Sequence, residues 1–244
     1  MTGGQMLAQK TVLIIGGTSG FGHEVARQAA AQGAVLRLVG RDAAKAEAVA
    51  QAFREDGAEA RGYGCDATDP QAFDALLGAL GPLDHLVSMV GGAMGGGFLS
   101  APEAAIRDTV EGKLFANQRI ARSAAPSLRP GGSMTFTAGA GGRPDNASGA
   151  ILGNIGISTL VRGLGVELAP KLRANAMAPT WTPTPLWRSL PEAEVAAIRE
   201  RFSGQIPLGR TGTVAEVAQA YLFVMTCGFI TGQTIVVDGG PSLL

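Results

Sequence analysis

The residues best suited to chemistry begin with three glycines. In IIGGTSGFGHEVA, Gly16, Gly20 and Gly22 stand four and two positions apart, after an aliphatic run and before an alanine-rich helical pattern. Glycine lets a chain turn sharply and lie against a pyrophosphate. It also lets a helix start close to the preceding strand, where free N–H groups and the positive helix end favour phosphate. Thr18 and Ser19 add hydroxyl donors, and Phe21 stands between the last two glycines. In this strand-to-helix context the spacing predicts a dinucleotide site.

The next run of that kind ends LVGRDAAK. A carboxylate at the end of the second strand suits the free ribose hydroxyls of NAD, whereas an arginine suits a 2′-phosphate that the acid would repel. Gly40 and Arg41 stand there, so NADP(H) is expected over NAD(H). The plainer alternative makes Arg41 a solvated helix-start residue paired with Asp42.

The elements that position these groups follow from the rest of the chain. Its 244 residues, 46% hydrophobic, suffice for one α/β domain with a full core. Short aliphatic runs alternate with longer helical segments, which predicts a doubly wound parallel sheet of Rossmann type with helices on both faces. Seven strands are expected, at 11–17, 34–40, 58–64, 83–91, 132–139, 172–179 and 234–240. Helices are expected at 21–32, 43–56, 70–80, 102–127, 148–169, 185–203 and 214–226. Residues 1–10, opening MTGGQM, read as a disordered leader and 11–244 as one domain. The Pro- and Trp-containing span 180–206 reads as a substrate lid.

Twenty basic residues balance twenty acidic ones without runs of one sign, which argues against a nucleic-acid or anionic-membrane surface and for small-molecule partners. Two cysteines, no signal-like start and no uninterrupted apolar run of spanning length fit a reducing cytoplasm. His23 and His85 fall far apart in the pattern, so no metal site is expected.

From Thr11 onward the chain resembles the short-chain dehydrogenase/reductase family. The matching stretches are GGTSGFG, the third-strand CDATD, the fourth-strand LVSMVGG, AMAPTWTPTPLW and FITGQTIVVDGG. The resemblance implies that Asp66 and Ala67 contact adenine, that Gly91 lines the cofactor, and that Pro179 and Thr184 pass the nicotinamide carboxamide. It also implies hydride transfer between nicotinamide C4 and a carbonyl or alcohol carbon, with a tyrosine as acid or base, a lysine four residues later, a serine and an asparagine.

Here the sequence departs from its family. Counting back from GVELAP places Ala150 at the tyrosine position and Asn154 at the lysine position. The serine position falls at Ala138 or Gly139, with Thr137 the nearest hydroxyl, and the asparagine position falls at Lys113. Tyr63 and Tyr221, the two tyrosines, belong to the third strand and to the last helix with its core-facing side chains.

Two readings follow. In one, the protein is an NADP(H)-dependent oxidoreductase acting on a small apolar substrate: Lys113, its pKa lowered by burial, supplies the proton, Thr137 orients a carbonyl, and Asn154 bonds the ribose. Arg143 and Asp145 then overhang the site. In the other, the domain binds NADPH without reducing anything and acts as a sensor, a partner subunit or a non-redox substrate cage. For single residues the plainer alternatives are a solvated Lys113 paired with Glu111 or Asp108, and Asp145, Asn146 or Ser148 as a helix cap. Trp181, Leu186, Trp187 and Phe202 read as an apolar wall over the substrate or as an interface. The apolar helix 148–169 predicts self-association as a homodimer or homotetramer, as in similar proteins.

Overall fold

The computed structural model describes residues 6–92 and 95–244. Its single sheet contains β1 (Thr11–Ile15), β2 (Val35–Gly40), β3 (Ala60–Gly64), β4 (Leu83–Ser88), β5 (Leu128–Thr137), β6 (Arg173–Pro179) and β7 (Thr234–Val237). The strands run parallel in the order β3-β2-β1-β4-β5-β6-β7. Every residue of β4 is buried, as are Val12 to Ile15 of β1, because helices cover both faces and leave no side to alternate toward water.

On one face α1 (Gly20–Ala31), α2 (Ala43–Glu55) and α8 (Val214–Thr226) pack Val25, Phe53 and Tyr221 into a core with Ile14 and Leu38. On the other, α3 (Pro70–Leu80), α5 (Ala116–Ala124) and α6 (Ser148–Glu167) pack Phe73, Ile120 and Ile157 against Leu86 and Phe136. The strand order reverses between β1 and β4, so the loops at their C-terminal ends diverge and open a crevice.

Three expectations change. The helix anticipated over 102–127 is α4 (Glu103–Val110), a π-helical turn (Glu111–Phe115) and α5. The buried Asn117 amide donates to the Lys113 carbonyl at 2.7 Å and to the Val90 carbonyl at 3.0 Å. It thereby takes a bond outside the regular ladder and ties the turn to the end of β4. The helix anticipated over 185–203 becomes a 3₁₀ turn (Pro185–Trp187) followed by α7 (Glu192–Gln205), with Pro191 at the α7 N-cap. The expected disordered leader does not extend to residue 10. Leu7 is buried in the core and the Gln9 amide donates to the Gly33 carbonyl, while positions 1–5 lie outside the described residues.

By length and composition alone one helix among the described residues could cross a membrane: α6, twenty residues long with an 18-residue window of mean hydropathy 1.3, although Asn154, Ser158, Thr159 and Arg162 interrupt its apolar run. Its inner face, carrying Ile157 and Val161, is part of the sheet core, whereas Leu152, Ile155 and Val166 face outward.

Candidate active site

Two cavities share the crevice. The first, about 720 Å3, runs from the glycine loop past Gly40, Arg41 and Lys45 to Asp66, Ala67 and Thr68. The second, about 670 Å3, runs from Gly20, Phe21 and Gly22 past Lys113, Thr137 and Asn154 to Pro179, Thr184 and the two tryptophans. Gly16, Ser19, Arg41 and Gly91 line both, so the two form one continuous cleft.

The glycine loop is built as its spacing requires. Gly16 has φ of 82° and Gly20 of 55°, in the left-handed region, and a Cβ on Gly22 would strike the Gly16 carbonyl oxygen. Ser19 is the N-cap of α1 and makes no side-chain cap bond, leaving the first N–H groups directed toward the cleft. Thr184 lies over this loop: a Cβ on Gly20 would stand 3.6 Å from the Thr184 Cβ.

Arg41 is exposed and forms no ion pair among the described residues. Asp42 instead accepts from the Lys45 amide at 3.0 Å and caps α2. The alternative Arg41–Asp42 pair is therefore absent. Lys45, one turn into α2, lines the same cavity, although the sequence reading passed over it. Asp66 accepts from the Thr68 hydroxyl at 2.7 Å and from its amide at 3.0 Å, and these bonds hold its carboxyl below the usual range.

Lys113 issues from the π turn and is 7% exposed. Its Nζ donates to the Ala138 carbonyl oxygen at 3.4 Å, while the proposed partner Glu111 bonds Arg119 instead. Burial without an opposing charge pushes its pKa down to about 8. Two glycines make room for its stem: a Cβ on Gly91 would lie 3.1 Å from the lysine Cγ, and one on Gly153 would lie 3.0 Å from Cδ.

Thr137 lines the second cavity, but its hydroxyl is already engaged. It donates to the Ser88 carbonyl oxygen at 2.8 Å and lies 2.7 Å from the phenol oxygen of the fully buried Tyr221. The expected role of orienting a carbonyl therefore gives way to bracing β5 against β4 and α8. Asn154 lines the cavity with a buried Oδ1 that has no hydrogen-bond partner among the described residues, and Ala150 lines the same wall. Arg143 and Asp145 pair with each other at 3.1 Å in the exposed loop and line neither cavity. No side chain caps α6: its N-cap is Ala147, Asn146 accepts from the Arg143 amide, and Ser148 donates to the Gly96 carbonyl.

The far wall is aromatic. The Trp181 and Phe202 rings stack at 5.5 Å and 13°, and Trp187 lies 6.0 Å from Trp181. Arg188 and Arg201 also reach the cleft, and the sequence reading named neither.

Comparison with known proteins accords with this geometry. The family described as Enoyl-(Acyl carrier protein) reductase matches residues 16–242. Cis-4-hydroxycyclohexanecarboxylate dehydrogenase of Sinomonas cyclohexanicum is 31% identical, over 97% of this chain and 98% of its own. A small-chain dehydrogenase solved in complex with NADPH is 26% identical, with a TM-score of 0.82 over 97% of this chain and 100% of its own. The MalC Reductase/Diels-Alderase from Malbranchea aurantiaca is 26% identical, with a TM-score of 0.86 over 98% and 99%. With a nearly full-length family match, a seven-stranded parallel sheet and a glycine loop at its switch point, the chain belongs to the short-chain dehydrogenase/reductase superfamily, oxidoreductases that bind a nicotinamide cofactor.

Proposed function

We propose that the protein is an NADP(H)-dependent reductase of a small apolar carbonyl compound, in which Lys113 supplies the proton that a tyrosine supplies elsewhere in the family. The observation that carries this reading is Lys113 itself: a buried amine on the cavity wall, paired with no carboxylate among the described residues, its pKa lowered by burial to about 8. An acid is most effective when its pKa lies close to the working pH.

The residues present fit the cofactor. The glycine cradle and the start of α1 suit a pyrophosphate, and Arg41 with Lys45 suits a 2′-phosphate. Asp66 and Ala67 line the place for adenine, and a ribose hydroxyl would satisfy the orphaned Oδ1 of Asn154. Gly91, Pro179 and Thr184 wall the nicotinamide end. When bound, the cofactor supplies a hydride from C4. In the protein's share of the chemistry, Lys113 holds a proton at Nζ and releases it to the carbonyl oxygen, and Thr137 keeps β5 in place beside it. The aromatic wall formed by residues 180–206 excludes water in the manner of a lid. The relative named for a hydroxycyclohexanecarboxylate supports a ring-bearing substrate.

A non-redox cage is the second reading. The missing tyrosine and lysine favour it, as does similarity to a protein described as both reductase and Diels-Alderase. Titration of the purified protein with NADPH and NADH, followed by a screen of cyclic ketones with NADPH deuterated at C4, separates the readings. Deuterium in an alcohol product supports the reductase, and binding without transfer supports the cage. We also propose that the outward apolar face of α6 is covered by a second copy of the chain, on the strength of Leu152, Ile155 and Val166.

A further inference from the structure

The charge on the second cavity is one-sided. Arg41, Lys113, Arg188 and Arg201 line it, and among the described residues no aspartate or glutamate does. Arg41 and Arg188 also line the first cavity, where both would face a bound dinucleotide. Lys113 and Arg201 belong to the second alone and remain to be explained.

Arg201 lies on α7 with its guanidinium 5.6 Å from the Phe202 ring centroid, and no carboxylate stands within ion-pair distance of it among the described residues. Arg201 is exposed at the cleft, and its N–H donors meet no protein acceptor among the described residues, which leaves them available to a ligand. Next to it the stacked Trp181 and Phe202, with Trp187 and Ile198, offer a flat apolar surface. A neutral apolar ligand would use that surface and leave the cation idle. A ligand with an apolar ring and an anionic group would use both.

We propose that the substrate of this cleft is an apolar, ring-bearing oxo acid whose carboxylate is held by Arg201 while its ring lies on the Trp181–Phe202 stack and its carbonyl faces Lys113. This deepens the reductase reading of the same site and rests on it for the role of the carbonyl. The anion selectivity itself requires no turnover.

Both tryptophans of the protein line this cavity, so intrinsic fluorescence reports its occupancy directly. The probes are 4-oxocyclohexanecarboxylate and its methyl ester, titrated with and without saturating NADPH. The acid is expected to bind at least about tenfold more tightly than the ester, as for a charge-assisted hydrogen bond over a neutral one. Arg201→Gln should abolish that preference while leaving ester binding in place, and Arg201→Lys should restore part of it. Equal binding of acid and ester, or a preference unchanged in Arg201→Gln, overturns the proposal. Deuteride transfer to the ester but not the acid would overturn it while leaving the reductase reading intact. Selective acid binding with no transfer from NADPH would instead uphold the anion site and remove the reductase reading.

Discussion

Gly153 of α6 gives up its side chain to the stem of Lys113: a methyl group there would stand 3.0 Å from the lysine Cδ, closer than ordinary packing allows. The helix that lacks an acid of its own thus makes room for an amine arriving from the π turn. Gly153→Val should displace that amine and lower turnover at least about tenfold, since small misplacements of a reacting group are costly. Steady-state kinetics on a responsive ketone, beside NADPH titration, checks this: kcat should fall while the NADPH Kd stays within about twofold.

Lys113→Met should lower kcat by about 10²–10⁴, the usual contribution of a general acid, and leave NADPH affinity nearly intact. The same substitution should stabilise the fold at neutral pH. In the folded chain the Lys113 pKa is depressed toward 8 by burial, so below that value the amine is charged in both states and the folded state bears its desolvation. Wild-type stability should therefore rise as pH increases from about 8 toward the unfolded value near 10.4. Thermal melts of both proteins across that window test the sign: the gain from Lys113→Met should be largest at pH 7 and shrink at high pH.

Arg41→Ala should weaken NADPH binding by about ten- to a hundredfold, the loss of one or two charge-assisted bonds, and leave NADH nearly unchanged. Lys45→Ala should have a smaller effect in the same direction. Fluorescence titration of each variant with both nucleotides decides this.

Thr137→Val leaves the buried Tyr221 phenol facing a methyl group and should cost about 1–3 kcal/mol in denaturant unfolding, with Thr137→Ser close to wild type. If Thr137 instead oriented the substrate, Thr137→Val would raise KM without a matching loss of stability.

Ile155, 61% exposed on the outer face of α6, should matter for assembly. Sedimentation should show a dimer or tetramer for the wild type and a smaller species for Ile155→Glu. A monomeric wild type would remove the self-association proposal.

The first strand and the glycine loop were the most legible parts of the sequence because both rest on local demands: a continuous aliphatic run for β1, buried on two faces, and positive φ for Gly16 and Gly20. The site was less so. Whether Lys113 was paired depended on Arg119 drawing Glu111 away, and the engagement of Thr137 depended on Tyr221, 84 residues later. Lys45 carried a weak signal, a second cation one turn after Arg41. Arg201 carried none, because only folding brings it and its chain neighbour Phe202 beside the tryptophans. Leu7 was missed because a short apolar residue in a glycine-rich start does not show by itself that the core reaches it.

The most direct test of Lys113 as the proton source is the pH dependence of deuteride transfer from C4-deuterated NADPH to 4-oxocyclohexanecarboxylate, for the wild type and Lys113→Met. Reduction needs the protonated amine, so the wild-type rate should hold at low pH and fall tenfold per unit above about 8. The variant should be slow throughout and lack that break. A variant that transfers deuterium as fast as the wild type, with the same profile, would contradict the account.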